Sequence, residues 1–198
     1  MNATPVAVLG TLADFHREPI PYNLGALIRL VGAIHPDLLC LDITSHEWQT
    51  RDFARLPLEY REALVPLAGQ TDIVVVPVAD ERPRPEEELR GARAAIARKI
   101  MSALAYVQRS APSPAAINEG VRHHLANDLY QLLAGLQGKA MREEATLHAS
   151  RLAANIVRAA RRDPGRRVLV VVNVRFCHYL RRLLRNYLDL QVVRFSEL

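Results

Sequence analysis

The apolar runs of this chain are short, and the stretches between them are helical in period. VAVLG (residues 6–10), LLCLDI (38–43), DIVVVPV (72–78) and VLVVVNV (168–174) are each a handful of residues bounded by turn signals. Runs of this length, rich in β-branched residues, read as buried strands. Between the first two, Leu24, Leu27, Ile28 and Val31 recur at helical spacing, and His35-Pro36 ends the helix because a residue before proline disfavours the helical region. A second helix is expected over 57–68, with Pro57 in its first turn and Gly69 at its end. This β-α-β-α-β alternation with short connections dictates a parallel sheet covered by helices.

The middle of the chain departs from that rhythm. Residues 82–88 are rich in proline and glutamate, and helices are expected at 86–107, 114–134 and 138–162, with a break at APSP. After Pro164-Gly165 the strand VLVVVNV, a helix at 177–187 and a last strand at 189–195 complete the pattern. The fold class expected is therefore α/β: a mostly parallel central sheet of about five strands, flanked by helices, with a helical insertion at about 84–162 between the third and fourth strands. At 198 residues the chain is expected to form a single domain, residues 1–198, with the insertion beside the sheet or as a lid over its ligand edge.

Several function classes lose support at this level. There is no GxGxxG, no GxxxxGK[ST] and no G-x-S-x-G, so neither a nucleotide-loop fingerprint nor a serine-hydrolase elbow is present. No run approaches the roughly 20 apolar residues of a membrane span, and no leader precedes the first strand, so no membrane partner is expected. Cys40 and Cys177 have no metal-like spacing, and two cysteines suit a reducing, cytoplasmic setting. The net charge of +5 comes almost wholly from arginine, which is dense from Arg158 to Arg185. No aromatic platform is interleaved with these arginines, so a solvated basic face is the expectation and nucleic acid is not the expected partner. A homodimer is one arrangement that a short parallel-sheet protein permits.

The informative polar residues come directly after the strands. Asp14, His16, Arg17 and Glu18 follow the first, Asp42, His46 and Glu47 the second, Asp80 and Glu81 the third, and Arg175 and His178 the fourth. In parallel neighbours these groups meet at one edge of the sheet, where open α/β folds place small-molecule ligands. His16, Asp42, Glu47 and His178 are the catalytic candidates, with Glu47 or Asp42 as general base and a histidine as its proton partner. Alternatively, His16, Asp42 and His178 supply two imidazoles and a carboxylate for a divalent metal, leaving a position for water. Asn173 interrupts an apolar strand and needs partners for its amide, and Arg175 can clamp a carboxylate or phosphate; both are candidates for binding a cofactor or anionic ligand. Cys177, at the expected start of a helix, is a candidate for a lowered pKa.

The order of GT after the first strand, HPDLLCLDI, LPLEYREALVPLAGQTDIVVVPV and SRLAANIVRAARRDPGRRVLVVVNVRFCHYLRRLL resembles the TraB/Tiki/erythromycin-esterase/ChaN-like superfamily. The resemblance implies an α/β core with extra helices, a site at the carboxyl edge of the sheet, and hydrolysis of an ester, amide or related small molecule. It implies a divalent metal as cofactor, or less favourably haem. Ala13 and Phe176 stand at the histidines of the family's GxxH motifs, with His16 and His178 close by, and Asp42 stands at its strand-two glutamate. A non-catalytic protein holding an anionic ligand through Arg175, Asn173 and Asp42, or an acid–base enzyme that is not a hydrolase, are the alternatives.

Overall fold

The residues of the three central strands are buried on both faces, which is why they read as continuous apolar runs rather than alternating ones. A computed structural model describes residues 3–80 and 89–198 of the chain. Its sheet contains β1 (Thr4–Thr11), β2 (Leu38–Thr44), β3 (Val74–Ala79), β4 (Val168–Asn173) and β5 (Leu190–Val193). They lie in the order β3-β2-β4-β1-β5, and every pairing is parallel. The expected five-stranded α/β sheet with an insertion before β4 is the observed one.

Strand side chains alternate between two cores, as the period of two requires. Ala7, Leu9, Leu39, Leu41, Leu169 and Val171 face α1 (Leu24–Ile34) and the helical segment containing Tyr60 and Leu64. Val6, Val8, Leu38, Cys40, Val168 and Val170 face α7 (Lys139–Arg162) and α8 (Val174–Leu184). The chain thus leaves β1 towards one face and its neighbour β4 towards the other. That makes their carboxyl ends a switch point, the usual place for a crevice.

Local chemistry explains the helix boundaries. Asn23 caps α1 by accepting from the Ala26 N–H at 2.9 Å, and His35 closes it in the left-handed region before Pro36. The short α2 (Ser45–Thr50) is held by a capping box between Thr44 and Glu47. A turn of π-helix at Tyr60–Leu64 precedes α3 (Val65–Gly69), where Pro66 lacks an N–H and its ring crowds the carbonyl four residues earlier. The insertion contains α4 (Gly91–Arg109), α5 (Pro114–Asn118), α6 (Val121–Gln137) and α7. The single helix expected over 114–134 is two, broken at Glu119-Gly120. The expected start of α4 at residue 86, together with Glu81 and the stretch 82–88, lies outside the described residues.

Two differences in length shape the surface around the sheet. An α-helix of the 24 residues in α7 is about 36 Å long. The six residues of β4 span only about 20 Å. Packed antiparallel to the strand it feeds, α7 overhangs the carboxyl rim with its first turns. At the other side, β5 pairs with β1 only from Thr4 to Ala7, so β1 runs past its edge neighbour. No helix among the described residues is long and apolar enough to cross a membrane.

Candidate functional site

The overhang of α7 brings a histidine to the rim. His148 Nε2 lies 3.1 Å from Asp42 Oδ2 at the end of β2, and both side chains are almost wholly buried, at 6% and 11% exposure. An ionised carboxylate can only accept, so Nε2 carries a proton in this pair, and in the neutral form of the ring the lone pair is on Nδ1. The Phe176 ring, in the first turn of α8, lies 5.1 Å from the His148 ring. Phe176 also lines a pocket of about 90 Å³ between α6, α7 and α8, with Tyr130, Leu133, Glu144, Ala145 and Arg175. The Arg175 guanidinium sits over the Phe176 ring at 4.6 Å.

The end of β1 carries a second polar network. Thr11 Oγ1 is 2.6 Å from Glu59 Oε1 and 3.2 Å from the Val172 carbonyl. Glu59 is 1% exposed. Burial pushes its carboxyl above the ordinary carboxylate range, opposed by the Thr11 hydroxyl and nearby backbone N–H groups and aided by Asp14. When Glu59 is protonated, its O–H donates to Thr11, and Thr11 donates to Val172. Tyr60 and Tyr22 donate to the carbonyls of Val171 at 2.9 Å and Gly10 at 3.1 Å. Beyond β5, the Asn118 amide takes the place of a strand: its Oδ1 accepts from the Gly10 N–H at 2.6 Å and its Nδ2 donates to the Gly10 carbonyl at 3.2 Å. Gly10 is needed there because a Cβ would lie 2.7 Å from Cys177 Sγ and 2.8 Å from Val174 Cα. The absent side chain serves the packing of α8 on β1.

The residues expected to form the site are spread over several surroundings. His16 follows β1 in a 3-10 turn (Ala13–Arg17) and is 2% exposed. Its Nε2 accepts from the Leu12 N–H at 2.9 Å and its Nδ1 donates to the Tyr22 carbonyl at 2.8 Å. Burial lowers its pKa to about 4, against the opposing bond to Tyr22. Asp42 is paired with His148 rather than with either expected histidine. Glu47 Oε2 accepts from the Thr44 N–H at 2.8 Å, as the capping box requires, and also from the Thr44 hydroxyl at 2.9 Å. His46 is exposed on α2. Asp80 accepts from Asn155 at 2.8 Å. Asn173 is the N-cap of α8, its Oδ1 accepting from the Arg175 N–H at 3.1 Å. His178 is exposed on α8 and lines a different groove, with His123 and His124.

Among the described residues, no three His, Cys, Asp or Glu side chains come together to hold a metal. Cys177 lies one turn inside α8, not at its start, and burial raises its thiol to about 11, while Cys40 in β2 is raised to about 12. Neither thiol is activated. Sequence reasoning passed over Glu59, although Leu56, Glu59, Tyr60, Ala63 and Leu64 are all buried at helical spacing and place it on an apolar stripe. Asn118 carries no comparable signal.

Comparison of the chain with protein-family models, with curated proteins and with solved structures gave no match.

Proposed function

We propose that this protein is a small-molecule enzyme working by acid–base chemistry at the carboxyl rim of its sheet. Hydrolysis of an ester or amide is the reaction that the sequence resemblance suggests. The supporting observation is the desolvated Asp42–His148 pair, built from a strand end and a helix that are 106 residues apart. Asp42 fixes the ring and its tautomer, leaving Nδ1 of His148 to take a proton from water or substrate. Arg175, at the same rim, offers a guanidinium fork for a carboxylate or phosphate on the ligand.

The described residues do not offer the metal set expected for the family. His16 has both ring nitrogens engaged, and His178 lies with other partners. No step of this reading runs through a metal or haem. A binding role without turnover is the second reading, favoured by the low exposure of His148 and by the small pocket of about 90 Å³.

A panel of chromogenic esters and anilides, offered to the full chain, tests the choice. Enzyme action predicts turnover that falls by about 10²–10⁴ in His148→Gln, the usual worth of a general base. Undiminished turnover in a folded His148→Gln variant defeats the acid–base assignment. Saturable binding of the same compounds without turnover favours the second reading.

A further inference from the structure

The groove that contains His178 exists because β5 is shorter than β1. Past Ala7, the outer edge of β1 has no strand partner. Its backbone groups are met by side chains instead: Arg181 donates to the Val8 carbonyl at 2.7 Å and the Asn118 carbonyl at 2.6 Å, and Asn118 pairs with Gly10. The space left between α8, the start of α6 and the β5 edge is a groove of about 620 Å³. That volume lies within the roughly 300–1,000 Å³ of small-molecule sites.

The lining is strongly basic. It holds the guanidinium groups of Arg181, Arg182, Arg185 and Arg194 against the carboxylates of Glu119 and Glu197, with His123, His124 and His178 beside them. His178, Arg182 and Arg185 follow at i, i+4 and i+7, so one exposed face of α8 and its C-cap presents all three. Some arginines elsewhere pair with acids: Arg109 with Glu18, Arg161 with Asp189, Arg17 with Glu62 and Arg166 with Asp37. Among the described residues, Arg182 and Arg185 make no ion pair, although two carboxylates line the same groove. Positive charge gathered in a concave site focuses potential and concentrates anions. Arginine forks match phosphate oxygens in pairs. The two carboxylates add acceptors for hydroxyl groups. Glu119 Oε1, moreover, is buried with no hydrogen-bond partner among the described residues.

We infer that this groove is a second site, distinct from the Asp42–His148 rim, which binds a small phosphate ester bearing hydroxyl groups, with Arg182 and Arg185 on the phosphate and Glu119 or Glu197 on the hydroxyls. The inference does not depend on any reaction at the rim.

Calorimetric titration of the full chain with adenosine monophosphate, glucose 6-phosphate, inorganic phosphate and a short single-stranded oligonucleotide tests it. At least one of the two esters is expected to saturate a single site more tightly than inorganic phosphate. The Arg182→Ala/Arg185→Ala variant is expected to weaken that binding about tenfold to a hundredfold, as loss of charged hydrogen bonds implies. Arg182→Lys/Arg185→Lys, which keeps the charge and removes the fork, should fall between. His148→Gln should leave the titration unchanged, separating this site from the rim. No saturable ester binding at millimolar probe overturns the inference. So does binding of the oligonucleotide alone, or ester binding that Arg182→Ala/Arg185→Ala does not change.

Discussion

The rim of the sheet and the groove beside β5 are both polar, yet they handle polarity in opposite ways. At the rim, Thr11, His16, Tyr22, Tyr60 and Asn118 are buried and hydrogen-bonded to backbone groups of the strands or the loop that continues from β1. In the groove, Arg182, Arg185, His124 and His178 are exposed to different degrees, and no ion pair holds them among the described residues. Buried, satisfied polar groups are part of the fold, because removing one strands its partner without water. Exposed charges without partners contribute little to the fold. The Asp42–His148 and Thr11–Glu59 pairs are rim features that combine burial with side-chain chemistry the backbone does not need.

The largest effect expected from this contrast is at Gly10. Gly10→Ala drives a methyl into Cys177 Sγ and the α8 backbone, and chemical denaturation should show a loss of about 3 kcal/mol or more. Asn118→Ala, which strands the buried Gly10 N–H, should lose about 2 kcal/mol in the same assay. Neutral behaviour in either variant would break the claim that the rim is built by mutual satisfaction.

Acid separates the two kinds of rim group. The folded pKa of His16 is about 4, below its ordinary 6.5. As pH falls from 6.5 towards 4, the unfolded chain takes up a proton that the folded one refuses, so stability present above 6.5 is lost. At about 1.4 kcal/mol per pK unit the loss is on the order of 3 kcal/mol. His123, buried beneath Arg181 and likewise lowered to about 4, acts in the same direction. Glu59 acts in the opposite sense. Its raised folded pKa means that the unfolded chain loses its proton first as pH rises from 4.5, so Glu59 costs stability above that point. Glu59→Gln should therefore gain stability relative to the parent as pH increases through this range, and His16→Gln should flatten the acid limb. Urea titrations at several pH values read both slopes.

The smallest effect sharpens the contrast from the other side. Arg182→Ala and Arg185→Ala should each change the unfolding free energy by no more than about 0.5 kcal/mol. A loss of about 2 kcal/mol would place these arginines in the scaffold, with the satisfied groups of the rim.

The strands and their parallel sense, though not their order, were legible because β2 and β4 are buried on both faces and their apolar runs are unbroken. Helical period was legible too, but not its interruptions: apolar spacing continues across Glu119-Gly120, and α2 is only six residues, fixed by its cap rather than by an apolar stripe. Asn173 reads as an odd polar residue in a strand until β4 is seen to end on it and α8 to begin. That polar residues follow the strands was foreseeable, whereas their dispersal among separate partners was not. Asp42 meets His148 because α7 is longer than the sheet is deep, and His178 points elsewhere because it lies a full turn down α8. The density of arginine late in the chain carries no hint of concavity, which arises from the brevity of β5.

The central claim is that His148 Nε2 donates to Asp42, so that the neutral form of the ring carries its lone pair on Nδ1. Nuclear magnetic resonance of the full chain labelled with ¹⁵N histidine, with His148→Gln used to assign the signal, tests it without any substrate. The account predicts a proton on Nε2, its signal shifted by hydrogen bonding to a carboxylate, and a change in that signal in Asp42→Asn. A proton on Nδ1 alone, or a signal that Asp42→Asn leaves where it was, would contradict it.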